Sequence, residues 1–213
     1  LALIAGPEYF YNEDINQEEE TMEHIELFGK HVILTPMMDH HIEPLYTASL
    51  PTEIWEWSAT KILSYDEAIS YVKDGIRARE QELHHPFVVI DQTDDSIVGS
   101  TSLRNIQFHN QSLEIGATWY HPDKWRTAIN TECKYLLLQH AFEKWKMKRV
   151  EFRTDECNKR SRAAITRLGA LEEGILRMEK KLQDGRIRNT VVYSILEHEW
   201  PSVKRNLEAF LKR

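Results

Sequence analysis

From residue 30 onward the chain alternates between period-two and helical hydrophobic patterns, with no internal repeat and no low-complexity linker. HVILTPM (His31 to Met37) reads as a short strand stopped by Pro36, and residues 39–50 as a short helix. Pro51 opens an aromatic loop, PTEIWEWSATK. SYDE (Ser64 to Glu67) has the spacing of a capping box. The helix it starts should run to about Glu82, with Ala68, Ile69, Val72 and Ile76 inward. His84-His85-Pro86 breaks that helix. FVVID (Phe87 to Asp91) and IVGSTSLRNI (Ile97 to Ile106) read as two strands about a TDDS turn. In LEIGATWY (Leu113 to Tyr120), Leu113, Ile115, Ala117 and Trp119 fall on one face. Glu114, Gly116, Thr118 and Tyr120 fall on the other.

A helix from about Asn130 to Lys144 follows, with an inner stripe of Cys133, Leu136, Leu137, Ala141 and Trp145. RVEFRTD (Arg149 to Asp155) is a strand, and Asn158 starts a helix that Gly169 stops. A hairpin with its turn at Gln183 to Arg186 and a last helix opened by Pro201 complete the chain. The order β, α, α, β, β, β, α, β, α, β, β, α implies a mixed α/β (α+β) fold. Its sheet has about seven mostly antiparallel strands flanked by helices, unlike a Rossmann fold or a barrel.

Charge divides the chain. The net charge of −7 sits in residues 1–29, which hold acidic residues and no Lys or Arg, so the body from residue 30 to 213 is nearly neutral. Residues 1–29 therefore read as a solvated acidic segment, and 30–213 as a single domain. NEDINQEEE is its most acidic run, and Met22 marks an alternative chain start that would make 1–21 an upstream extension. LALIAG lacks a basic flank, and no apolar run approaches the ~18 residues of a membrane span, so a cytoplasmic protein with no membrane partner is expected. Cys133 and Cys157 form no CxxC pair and read as buried reduced thiols. The adjacent pairs His40-His41 and His84-His85 point different ways, so no metal site is expected.

KWRTAINTECKYLLL (Lys124 to Leu138) has the form of an anion site at a helix start, with free amides and the charges of Lys124 and Arg126. An ordinary helix start with basic neighbours fits the same residues. No GxxxxGK[ST] and no GxGxxG is present, which excludes a hydrolytic P-loop and a dinucleotide fingerprint. The basic run EKWKMKR (Glu143 to Arg149) suits a helix C-terminus better than a nucleic-acid partner, because the body is near neutral.

EIGATWYHPDKWRTAINTE, followed by RVEFRTDECNKRSRAAITRLGALEEGILR, resembles the GNAT superfamily of acetyl-CoA-dependent N-acetyltransferases. Within it the chain is similar to the branch containing the RimJ/RimL-like ribosomal-protein enzymes, over roughly Lys30 to Ile195. The resemblance implies a strand at Glu114 to Tyr120 splayed from the strand at Arg149 to Thr154, with the pantetheine of acetyl-CoA between them. It assigns the pantetheine amides to backbone groups near Trp119 and Tyr120, and the pyrophosphate to Trp125, Arg126, Thr127, Ala128, Ile129, Asn130 and Thr131. Asn158 would bond the pantetheine arm, and Ser161 would sit by the thioester sulfur as the leaving thiolate's acid. Glu114 is the candidate base, with a structural salt bridge as the competing role.

Trp55 and Trp57 would shape the acceptor side, or else pack in the core. The implied reaction moves an acetyl group to a primary amine, such as a protein or peptide α-amine, within a ternary complex. A small-amine acceptor and a non-catalytic acyl-CoA-binding regulator are the alternatives, and a monomer or homodimer fits either. Two departures stand out. Ile165 replaces the tyrosine acid usual seven residues after the asparagine, and Ala128 replaces the loop glycine.

Overall fold

A computed structural model describes residues 25–182 and 184–212. The acidic run at Asn12 to Glu20 and the start at Met22 lie outside the described residues. The order is β1 (Leu27–Phe28), β2 (Val32–Pro36), α1 (Ile42–Ser49), α2 (Tyr65–Glu80), β3 (His84–Asp91), β4 (Ser96–Gln107) and β5 (Ser112–Tyr120). Then come α3 (Ala128–Gln139), β6 (Arg149–Asp155), α4 (Lys159–Leu168), β7 (Leu171–Lys181), β8 (Ile187–Leu196) and α5 (Trp200–Leu211). The strands form one eight-stranded sheet in the order β1-β2-β3-β4-β5-β6-β8-β7, antiparallel except for β5 against β6. The strand beyond the expected seven is β1, two residues paired with β2. Ile25, within the expected acidic segment, is buried in the core.

Helices cover both faces. Leu113, Ile115, Leu137, Phe152, Ile165 and Trp200 share one core between the sheet and α3, α4 and α5. Leu45, Val72, Val88, Trp55 and Trp119 share the other, beneath α1 and α2. The local signals explain the starts and stops. Ser64 accepts the Glu67 N–H as cap of α2, while the Glu67 carboxylate accepts from Leu63 N–H, one residue earlier than an ideal capping box. Thr127 caps α3, so that helix begins two residues before the expected Asn130. The residues that follow α3, His140–Lys144, continue it as a π-helical turn. Gly169 ends α4 at φ +101, a conformation that suits glycine.

The expected alternation of β5 fails at Ala117. Gly116 pairs with Ser102 and Trp119 with Ser100, so Ala117 and Thr118 together oppose Thr101. This is a β-bulge, and Ala117 takes φ +49 within it. The extra residue exchanges the faces beyond it. Trp119 therefore joins the Glu114 side, against Trp55, and Tyr120 joins the core with Leu113 and Ile115. The thiols also differ from expectation: Cys133 is buried but Cys157 is exposed.

Glu132 of α3 ties the N-terminal strands to the body. Its carboxylate accepts the backbone N–H groups of Lys30, His31 and Val32 at 2.9, 2.6 and 2.9 Å. A side chain at Gly29 would collide with that carboxylate, which is why the approach needs glycine. Replacing Glu132 with Ala leaves these donors unpaired, so the unfolding free energy should fall by about 2–4 kcal/mol in chemical denaturation. Glu132→Gln keeps an acceptor and should lose less.

Candidate active site

Strands β5 and β6 pair only from Ser112 to Glu114 against Arg149 to Glu151. Beyond Glu114 they part, so the β6-facing backbone of β5 from Ile115 onward has no strand partner. Because the two strands are parallel, the helices that follow them, α3 and α4, both start at the open end of this gap. The Arg160 guanidinium of α4 lies 3.5 Å from the ring centre of Trp125, and Arg167 Nη2 donates to Thr131 Oγ1 at 3.3 Å. Two positive helix ends thus flank one gap, an arrangement suited to an extended anionic ligand.

The start of α3 offers amides more than side chains. Ile129 and Thr131 are buried, Thr127 spends its hydroxyl oxygen on the Ile129 N–H, and Asn130 is half-buried. Lys124, one of the two expected cations, is committed elsewhere. Its ammonium lies 2.7 Å from the buried Asp91 carboxylate, and that bond raises its pKa. Arg126 is exposed and has no ion-pair partner among the described residues, so it is the cation left for an anion here. Arg126 also carries the strained backbone, at φ +64, whereas Ala128 sits in the first turn of α3 without a positive φ. Tyr120's carbonyl accepts from Trp125 Nε1 at 3.0 Å, which reduces its availability to a ligand.

At the start of α4, Asn158 accepts the Ser161 N–H at 3.0 Å through its side-chain oxygen. The Asn158 amide nitrogen remains for another partner. Ser161 is half-buried in the first turn, and Ile165 one turn on packs into the core.

Glu114 sits where the strands part and is only 8 % exposed. One of its oxygens accepts from Asn105 Nδ2 at 2.8 Å and lies 3.9 Å from Arg153 Nε. The other lies over Gly116, where a side chain would collide with it. Arg153 is held mainly by Glu151 at 2.6 Å, and Glu151 also binds Arg149, which reaches Glu173. Glu114 thus ends a ladder of alternating charges along the open sheet face. Glu114 has a bond to Asn105 and only a long ion pair to Arg153, and its other oxygen has no further hydrogen bond among the described residues.

The two tryptophans separate. Trp55 is 3 % exposed, donates to the Ser49 carbonyl at 3.0 Å and packs on Trp119, so it supports the wall rather than forming an open surface. Trp57 is half-buried, with the Arg186 guanidinium 5.4 Å from its ring centre. Arg186 in turn bonds the buried Asp155 carboxylate at 2.6 Å, at the end of β6. Arg160, Asp155 and Arg186 escaped the sequence reading. Asp155 and Arg186 are 31 residues apart, and only the β6–β8–β7 order brings them together. Among the described residues no group of three or more His, Cys, Asp or Glu could hold a metal ion, and no helix is long and apolar enough to cross a membrane.

The chain belongs to the GNAT acetyltransferase family: residues 31–171 match the family described as "Acetyltransferase (GNAT) domain". It is 33 % identical over 111 residues to a Bacillus subtilis (strain 168) protein named "Putative ribosomal N-acetyltransferase YdaF". That match spans 52 % of this chain and 60 % of the relative. A GCN5-related N-acetyltransferase from Brucella melitensis superposes with a TM-score of 0.81 at 28 % identity, over 88 % of this chain and 85 % of that one. A "putative acetyltransferase" from T. thermophilus gives 0.79 at 31 %, over 87 % and 96 %.

The loop geometry yields a test. Since Ala128 is helical, Ala128→Gly should leave acetyl-CoA affinity unchanged or weaker in calorimetry, and should destabilise the helix by about 0.5–1 kcal/mol. Tighter binding in that variant would mean the loop needs a glycine after all.

Proposed function

We propose that this protein is an N-acetyltransferase that moves the acetyl group of acetyl-CoA to a primary amine in a ternary complex. The observation that carries the proposal is the parting of β5 and β6 after Glu114, with the starts of α3 and α4 at the open end. Acetyl-CoA supplies an activated acetyl thioester. Backbone amides at the start of α3, with Arg126, suit its pyrophosphate, and the free edge of β5 and the Asn158 amide nitrogen suit the pantetheine arm. Glu114, at the narrow end, accepts the proton of the incoming ammonium directly or through water, because only the neutral amine attacks. A backbone N–H on the free edge of β5 stabilises the oxyanion. As the C–S bond breaks, the Ser161 hydroxyl gives its proton to the departing thiolate and regains one from the attacking nitrogen, which loses its second proton as the amide forms.

The acceptor we favour is a protein or peptide α-amine, in keeping with the name of the Bacillus subtilis relative. A small amine fits the same chemistry. A ribosomal protein as that acceptor would place the reaction in the cytoplasm. The core position of Ile165, where related enzymes use a tyrosine, favours one competing reading, a non-catalytic acyl-CoA-binding protein. Calorimetry with acetyl-CoA and a thiol-release assay over a panel of amines separate the readings. Binding with turnover on one acceptor supports the enzyme, binding without turnover supports the regulator, and no binding at millimolar acetyl-CoA rejects both.

Two substitutions test the roles. Ser161→Ala should lower kcat about ten-fold or more with little change in acetyl-CoA affinity; an unchanged rate removes Ser161 from the mechanism. Glu114→Gln should lower the rate most at neutral pH, and the loss should shrink as pH rises past the ordinary α-amine pKa of about 8, where the acceptor deprotonates unaided. An equal loss at high pH assigns Glu114 a structural role.

A further inference from the structure

Lys134 is a lysine in an unusual place. It lies in the second turn of α3, facing the sheet, and is 5 % exposed. Among the described residues it has no carboxylate within ion-pair distance. Its ammonium donates to Thr118 Oγ1 at 2.6 Å and to Thr101 Oγ1 at 3.4 Å, and the two hydroxyls lie 2.8 Å from each other. These are the residues that face each other across the β5 bulge, where Ala117 and Thr118 oppose Thr101 alone. The groups around it leave its charge uncompensated. On its own helix, Cys133 is buried with its pKa pushed up to about 12, and so stays a neutral thiol. Glu132 is committed to the backbone of residues 30–32. On β5, the Tyr120 phenol is buried beside Cys133, and burial raises its pKa as well. On α4, Arg167 reaches Thr131, and on α5, Glu208 and Lys204 bond Tyr135 and Glu143.

Burying an uncompensated ammonium is unfavourable, and a methionine of similar length would fill the space without that penalty. The bulge it holds is the segment of β5 that borders the open gap, and it determines that Trp119 faces the Glu114 side. We propose that Lys134 is a positioning residue for acyl transfer, which clamps the Thr101–Thr118 pair from behind and so fixes the backbone of the β5 bulge at the cleft. The functional half of this inference rests on the acetyltransferase reading; the clamping half does not.

Burial lowers the Lys134 pKa to about 8. The folded protein therefore releases this proton before the unfolded chain does, whose lysine titrates at about 10.4. Between those values the unfolded state binds more protons, so stability at this site rises with pH. Below about pH 8 the native state carries the buried charge at a penalty. Lys134→Met removes the penalty together with the clamp.

The test measures melting temperature, amide hydrogen exchange and kinetics for wild type, Lys134→Met, Thr118→Val and the double variant. At pH 7, Lys134→Met should melt no lower than wild type, exchange at least ten-fold faster at residues 116–120 and unchanged in the far strands, and lose ten-fold or more in kcat/KM for acetyl-CoA. As pH rises from 8 to 10, wild type should gain melting temperature relative to Lys134→Met. Thr118→Val, which leaves the ammonium only its longer bond to Thr101, should melt lower, and the double variant should recover stability without recovering turnover. Unchanged exchange at the bulge overturns the clamp. Faster exchange with kcat/KM within two-fold of wild type overturns the functional role, as does a rate loss that merely follows a lower melting temperature. If Lys134→Met does not fold, the double variant carries the same comparison. A wild type inert toward acetyl-CoA and every amine would reject the acetyltransferase reading, and the exchange measurement would still decide the clamp.

Discussion

The structure depends on one constraint: two parallel neighbours in an otherwise antiparallel sheet pair for three residues and then separate. A parted pair inside a sheet would normally leave backbone donors and acceptors without partners, which is costly unless something else satisfies them. Here the gap opens at the sheet end where α3 and α4 begin, so unpaired strand edges and unpaired helix amides face the same space. Three features border that space. The bulge at Ala117 turns β5, the Trp55–Trp119 contact supports one wall, and Asp155 with Arg186 anchors the β7–β8 turn beside the other.

The electrostatics divide the gap into two regions. At the open end the charges are cationic or committed. Arg126 has no ion-pair partner among the described residues, Lys124 belongs to Asp91, and Arg160 stacks on Trp125. At the narrow end the carboxylate of Glu114 terminates a ladder through Arg153, Glu151, Arg149 and Glu173. Under the proposed acetyl transfer, an anionic donor would lie at one end and an ammonium acceptor at the other. Three carboxylates and two guanidiniums in sequence also fix Arg153, whose long contact with Glu114 leaves that carboxylate only partly neutralised.

Much of this was legible in the sequence because its signals are local. The helix starts at Ser64 and Asn158, the stop at Gly169 and the alternation of Arg149 to Asp155 each act within a few residues. The two units around the gap were legible as a family resemblance. What stayed hidden depends on partners distant in the chain. LEIGATWY alternates without a break, and only its pairing with β4 reveals that Ala117 is an extra residue. Nothing near Lys124 announces Asp91, and nothing near Trp57 announces Arg186. The loop without a glycine was misleading for a related reason: the strained φ belongs to Arg126 and not to Ala128, a difference of two residues that composition does not reveal.

The most direct measurement of the central claim is amide hydrogen exchange with and without millimolar acetyl-CoA. If the parted strands form the donor site, protection should concentrate at three separate segments, residues 115–120, 126–131 and 158–161, while β1, α2 and α5 remain unchanged. No protection, or protection confined to the outer strands, would contradict it.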